Sequence, residues 1–436
     1  MATVSRPATK GAAKELFMPS SPPGPAIAQD SVPPRRAPAR PGLLGPVLCA
    51  AYVSWMLPFH AASTLVQSLL GELDDDTKLQ RYAVMATTGA LTAMCANIAF
   101  GLLSDRTRSR FGRRNPWILT GGFGTTLAIF GLSFTQSFPV LLTLWILLQI
   151  SLNAVVAPMV AILPDRVASA DLGKASSWIG VGQLLGSSLG AVAAGVLLTV
   201  PAQGLRWIAG LVALGGLLVF FAAPDRPSTA MPVEPFAART LARTLLPPRD
   251  ADFLWALIGR LLTLLGLSLV MVYQLYVLTD HLGLSSARAG SVIGVAGAVT
   301  ALTAGVAIAV CGPLSDRVGR RKVFVLISAG TAAVSVLPLA FSPSLGAFFT
   351  FAVVGALGYG CFVAVDQVVM TEVLPDQENR AKNLGILNIA NTLPQVLAPV
   401  VAMAVVPAFG YRGLFLLAAT TAAVGGLCIV PIRRVP

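Results

Sequence analysis

The sequence predicts an all-α membrane protein: twelve transmembrane helices in two parallel six-helix repeats. Three observations carry this reading. Of 436 residues, 55% are apolar and 11% charged, where an average soluble domain has about 25% charged residues. Mean hydropathy is +0.76, too apolar for an ordinary water-soluble enzyme of this length. Twelve apolar runs each approach the ~20 residues that span a bilayer as a helix. Finally, two short motifs recur at one fixed offset.

Residues 1–42 come first, with nine prolines and the basic residues Arg6, Lys10, Lys14, Arg35, Arg36 and Arg40. No apolar core with a cleavage site is visible there, so the segment reads as a disordered cytoplasmic tail. Apolar runs follow at about 43–70, 80–103, 116–134, 138–163, 175–200 and 205–223, forming an amino-terminal half over 43–223. Prolines and charges interrupt the pattern at 224–252, a cytoplasmic linker. Further runs at 253–279, 287–311, 323–341, 345–372, 384–407 and 411–432 make a carboxyl-terminal half over 253–432, leaving 433–436 as a tail.

The net charge of +12 is distributed along loops rather than gathered on one face, which excludes nucleic-acid binding. Loops on the side of the two termini hold 25 of the 31 Lys and Arg residues, the opposite loops hold 5, and Arg260 lies inside a span. By the positive-inside rule both termini are cytoplasmic, in a multi-pass protein of the cell membrane bordered by its lipid. Cys49, Cys95, Cys311, Cys361 and Cys428 sit in or beside apolar runs with no metal-binding spacing, as packing residues. There is no phosphate-binding GxxxxGK[ST] loop and no HExxH, so no cofactor or metal is expected and the energy source is an ion or solute gradient.

Gly101-Leu-Leu-Ser-Asp-Arg106 recurs as Gly312-Pro-Leu-Ser-Asp-Arg317, and Leu163-Pro-Asp165 as Leu374-Pro-Asp376, both 211 residues apart. Six spans per repeat is an even number, so the halves run parallel about an axis along the membrane normal, with a solute site between them near the midplane. The first copy continues through an arginine-rich turn to Arg113 and Arg114, the second to Arg320, Arg321 and Lys322. An aspartate closing one helix beside arginines forms charge-assisted contacts that one conformer makes and another breaks.

These residues closely resemble the G-x-x-x-D-R-x-G-R-R signature of the major facilitator superfamily. The second copy fits it directly; the first is four residues longer and, with Asn115-Pro116-Trp117, is similar to the glycoside–pentoside–hexuronide and sucrose–proton symporter branch. The resemblance implies alternating access gated by Asp105, Arg106, Arg113, Asp316, Arg317 and Arg320. It also implies proton-coupled import of a sugar or glycoside-like solute by a monomer. The alternative is efflux of a drug or secondary metabolite by proton antiport. Sodium-coupled members of the branch use aspartates in the amino-half spans, and none is present there.

Polar residues inside spans are candidates for chemistry because burying them is costly. Asp366 in span 10 and Arg260 in span 7 lie at similar depth and either take turns with a proton or form a static salt bridge. His60 in span 1 titrates near neutrality and completes the proton-coupling candidates. Gln149 and Asn153 share a face of span 4; Asn388, Asn391 and Gln395 share a face of span 11. With Gln183, Tyr52, Trp55, Tyr273 and Gln274 they suit a polyol, amides meeting hydroxyls and aromatic faces meeting C–H surfaces. Interhelical hydrogen bonding explains the same amides. Gly182, Gly186 and Gly190 in span 5 and Gly290, Gly294, Gly297 and Gly305 in span 8 let helix backbones approach closely; the resemblance implies that these two spans face each other across the halves as a smooth seam.

Overall fold

The structure is a computed structural model that describes residues 41–167, 172–229, 248, 250–374 and 380–435. Residues 1–40 and 436, most of the expected linker and the side chain of Asn388 lie outside the described residues.

The described chain is helical throughout. In order come α1 (Pro41–Leu73), α2 (Lys78–Arg106), α3 (Asn115–Leu132), α4 (Phe138–Arg166), α5 (Leu172–Leu197) and α6 (Pro201–Ala222). The second half has α7 (Ala251–Met271), α8 (Ser286–Val318), α9 (Arg321–Phe341) and α10 (Leu345–Glu372). The stretch Arg380–Leu427 breaks at Gly410, whose φ of 65° is left-handed, giving α11 (380–409) and α12 (411–427). Among the described residues ten helices are long and apolar enough to cross a membrane, with α11 and α12 counted as one; α3, shorter and richer in Gly and Thr, completes twelve. This is a multi-pass membrane protein.

The boundaries follow local chemistry. Prolines occupy the first turn of α3, α4 and α6, where the missing N–H is no loss. Asp250 caps α7 by accepting from the Phe253 amide at 3.0 Å, and Ser344 caps α10 through Ala347 at 3.2 Å. Large apolar side chains such as Leu127, Val196, Phe221 and Leu302 face outward, as a lipid-facing surface requires.

Span 7 is not the single helix that its apolar run predicts. After α7 the chain turns at Tyr273, then winds through Gln274–Tyr276 into a wide turn at Val277–His281. The break seats two tyrosine hydroxyls in the interior: Tyr273 donates to the Pro399 carbonyl and Tyr276 to the Gln67 carbonyl, each at 3.1 Å.

The packing repeats between halves. In the first, α1 packs on α5 and α6, α2 on α4, and α3 on α4 and α6; in the second, α7 packs on the α11–α12 stretch, α8 on α10, and α9 on α10 and that same stretch. The halves meet where α5 packs on α8 and α2 on α11. The expected glycine seam is only half right. Gly182, Gly186 and Gly190 pack on α1 within their own half, a Cβ there meeting Cys49 O, Met56 Cβ and His60 Cβ at 2.6, 2.7 and 2.8 Å. It is Gly195 that meets Gly290 of α8, each so close that a Cβ would strike the other's carbonyl oxygen.

Candidate functional site

At the arginine-rich end, the turn after α2, the end of α4 and the segment after α6 converge. Arg114, buried, donates to Asp105 at 2.6 Å, to Asp165 at 3.1 Å and to the Ser104 hydroxyl at 2.6 Å. Arg113 reaches Asp165 at 2.7 Å. Asp225 accepts the backbone amides of Arg113 and Arg114 at 3.1 Å and pairs with Arg166 at 3.4 Å. Gly112, with φ of 85°, reverses the chain directly against the Asp225 side chain. In the second half Arg321 sits 3.8 Å from Asp316 and also pairs with Glu372.

The structure therefore brings Asp105 and Asp316 each to the second arginine of its turn, Arg114 and Arg321, rather than to Arg113 and Arg320. Arg106 ends α2; Arg317 and Arg320 make no ion pair among the described residues. Asp165 belongs to the repeated Leu-Pro-Asp motif, which marks the repeat in the sequence without revealing its partner.

Deeper in the second half, Arg260 of α7 and Asp366 of α10 form a buried pair at 3.0 Å. Arg260 also donates to Asn391 Oδ1 of α11 at 2.8 and 3.2 Å. Beside the pair lies a cavity of about 20 Å³, bounded by Thr263, Val325 and Gly425. That admits a water and not a solute.

The neutral candidates separate. Asn153 and Gln149 are buried between α4 and α2, where Asn97 donates to Asn153 Oδ1 at 3.1 Å and Asn153 donates to the Gln149 carbonyl at 2.9 Å. Tyr52 and Trp55 are buried with ring centroids 5.9 Å apart, and the Trp55 Nε1–H has no partner among the described residues. Tyr273 is wholly buried, with its hydroxyl satisfied by Pro399; Gln274 is half-buried. His60, Gln183 and Gln395 are exposed.

One group of contacts has no counterpart in the sequence reading. At the other, acidic end the halves are joined: Lys78 of α2 pairs with Asp280 at 2.8 Å, and Tyr276 donates across to Gln67 of α1. Tyr82 of α2 meets Tyr273 and Tyr276 edge-on, with centroids 5.5 and 5.8 Å apart. In the sequence Lys78 is only one of five basic residues on the minority side. The arrangement is a pair of matching bundles clasped at one end, with a charge network under the other.

The model of the Major Facilitator Superfamily matches residues 44–301 and 256–436. The chain belongs to that superfamily. This major facilitator transporter is 31% identical over 128 residues to a general alpha-glucoside permease of Schizosaccharomyces pombe (strain 972 / ATCC 24843), a match covering 25% of this chain and 23% of that one. Its fold is similar to that of a bacterial homolog of the human lysosomal transporter Spinster, solved inward-facing and occupied. The TM-score there is 0.68 at 13% identity, over 89% of this chain and 97% of that one. A POT family transporter in complex with 5-aminolevulinic acid gives a TM-score of 0.70 at 14% identity, over 88% and 95% of the two chains. The protein is a transporter and not an enzyme.

Proposed function

We propose that this transporter imports a sugar or glycoside-like solute across the cell membrane, coupled to protons, as a monomer with both termini cytoplasmic. The observation that carries the coupling is the buried Arg260–Asp366 pair and its link to Asn391. A proton on Asp366 cancels its attraction for Arg260 and leaves a buried cation, which must find another acceptor. Asn391 Oδ1 already holds that guanidinium, so proton arrival shifts Arg260 toward α11 and changes how α7, α10 and α11 pack. Solute binding to neighbouring amides on α11 would read the same shift.

Residues 43–223 and 253–432 act as two rocking bodies joined through 224–252. The Asp105–Arg114–Asp165 and Asp316–Arg321 pairs gate the cytoplasmic side, where the excess of basic residues places them. The sugar assignment is supported by the symporter-like first turn and by the permease relative. Accumulation of labelled α-glucosides by right-side-out vesicles, driven by an imposed proton gradient, tests the reading. We expect uptake that collapses with a protonophore and with Asp366→Asn. Proton-driven extrusion of hydrophobic drugs without glucoside uptake would overturn it in favour of efflux.

A further inference from the structure

Helix α10 is open on two sides. Its neighbours fix its rotation: a Cβ on Gly358 would meet Ser328 O of α9 at 2.8 Å, and one on Gly360 would meet Ala304 O of α8 at 2.6 Å. Asp366 points to Arg260 of α7. At about 100° per residue, Leu357 then falls in the sector between α8 and α9, and Tyr359, about 200° further round, in the sector between α7 and α8. Both side chains are open, Leu357 at 41% and Tyr359 at 45%. Helix α8 reaches the first half through α5, and the continuation of α7 reaches it where Tyr276 bonds Gln67 of α1. Helix α9 packs within its own half. Leu357 therefore looks away from the first half, into lipid, while Tyr359 looks across at it. Tyr359 also stands at the middle of α10 (Leu345–Glu372), the depth of a midplane solute site. Asp366, seven residues on, shares its face, and both Asp366 and Arg260 lie within its electrostatic range. The hydroxyls of Tyr273, Tyr276 and Tyr411 are each engaged, but that of Tyr359 makes no hydrogen bond among the described residues. An unbonded phenol is costly against lipid and not beside water or a hydroxylated guest.

We propose that Tyr359 is a solute-contact residue, on which a sugar-like ring lays its C–H face while one of its hydroxyls bonds the free phenol hydroxyl. The solute class rests on the function proposed above; the orientation of Tyr359 does not. A flat apolar face with one polar tip matches such a ring better than a wholly apolar or a charged guest. Solute and ion pair then share one face of one helix, about two turns apart. Binding at Tyr359 is thereby felt at Asp366 and Arg260 through α10 itself, with no other element between.

Orientation is tested first, on the full chain in lipid nanodiscs with its five native cysteines changed to alanine. We expect a charged, membrane-impermeant thiol reagent to label Tyr359→Cys far faster than Leu357→Cys. Equal rates, or faster labelling at Leu357→Cys, overturn the proposal. Contact is tested with the native cysteines in place, by uptake of labelled α-glucosides into vesicles. Tyr359→Phe, which keeps the ring and loses one neutral hydrogen bond, should raise KM by about threefold. Tyr359→Leu should raise it by roughly tenfold or more, with kcat nearly unchanged in both, as expected when a binding contact is lost. Unaltered KM in both variants overturns the contact, and an equal rise in both overturns the stacking. If the unaltered chain takes up no glucoside, the solute class fails instead. Drug efflux that Tyr359→Leu impairs then keeps the contact, and efflux that it leaves intact overturns it.

Discussion

Arg260 and Asp366 lie 3.0 Å apart with almost no exposure, so either alone is a charge stranded in the interior. We expect Asp366→Asn or Arg260→Gln to cost about 3–5 kcal/mol of stability, and the double change Arg260→Leu with Asp366→Leu to cost less than either. Thermal unfolding in detergent measures this cycle; uptake by the double variant separates the ion pair's structural part from its coupling part. A second residue-scale expectation concerns Asp250. Burial opposes its charge, but the Phe253 amide and the Arg434 guanidinium, at 2.7 and 3.0 Å, outweigh that and hold the carboxyl below the usual carboxylate range. A lowered folded value contributes stability above the unfolded value of about 4 and loses it as pH falls through the folded value. We expect the melting temperature to fall on acidification below about pH 4, with Asp250→Asn removing part of that dependence. At this scale the sequence was legible in residue type but not in partner. Asp105 and the arginines are plain in the signature, yet Arg113 and Arg114 are adjacent, and only the turn at Gly112 decides that Arg114 points inward.

Helices α5 and α8 show what spacing conveys and what it omits. Glycines four residues apart announce a close neighbour, but the neighbour of Gly182, Gly186 and Gly190 is α1 of the same half. Whether a small-residue face looks inward or across depends on helix rotation, which a run of apolar residues does not specify. The break at Tyr273 was equally hidden, because neither Gly nor Pro marks it. By contrast, the break between α11 and α12 is legible at Gly410, whose φ of 65° suits only glycine without strain. We expect Gly410→Ala to cost about 1–3 kcal/mol, because φ 65° with ψ −176° is a region that essentially only glycine enters, seen as a lower melting temperature. Gly186→Leu should separate α1 from α5 and destabilise the protein without favouring either conformer. Gly195→Val should instead push α5 from α8 and open the acidic end, read as faster thiol labelling of a cysteine placed at Ser286.

The whole molecule was the most legible scale. Apolar runs and a 211-residue repeat give twelve crossings in two matched halves, and the packing of α1 to α6 is repeated by α7 to α12. Contacts between the halves were the least legible, since they join residues far apart in sequence. Lys78 with Asp280 is such a contact, 202 residues apart. We expect Lys78→Gln and Asp280→Asn each to speed labelling at the acidic end several-fold, and the exchanged pair Lys78→Asp with Asp280→Lys to restore slow labelling. Failure of the exchange would place their effect in the separate partners Asp75 and Tyr411.

Where Gly195 faces Gly290, the two halves touch peptide to peptide with no side chain between them. Closing that contact freezes no rotamers, so its entropic penalty is small. Rigid backbone also comes to rest at one spacing. Leakage of ions past this point in the closed carrier should therefore depend on the fit of two main chains, and even a single methyl group added there should be felt as a drip.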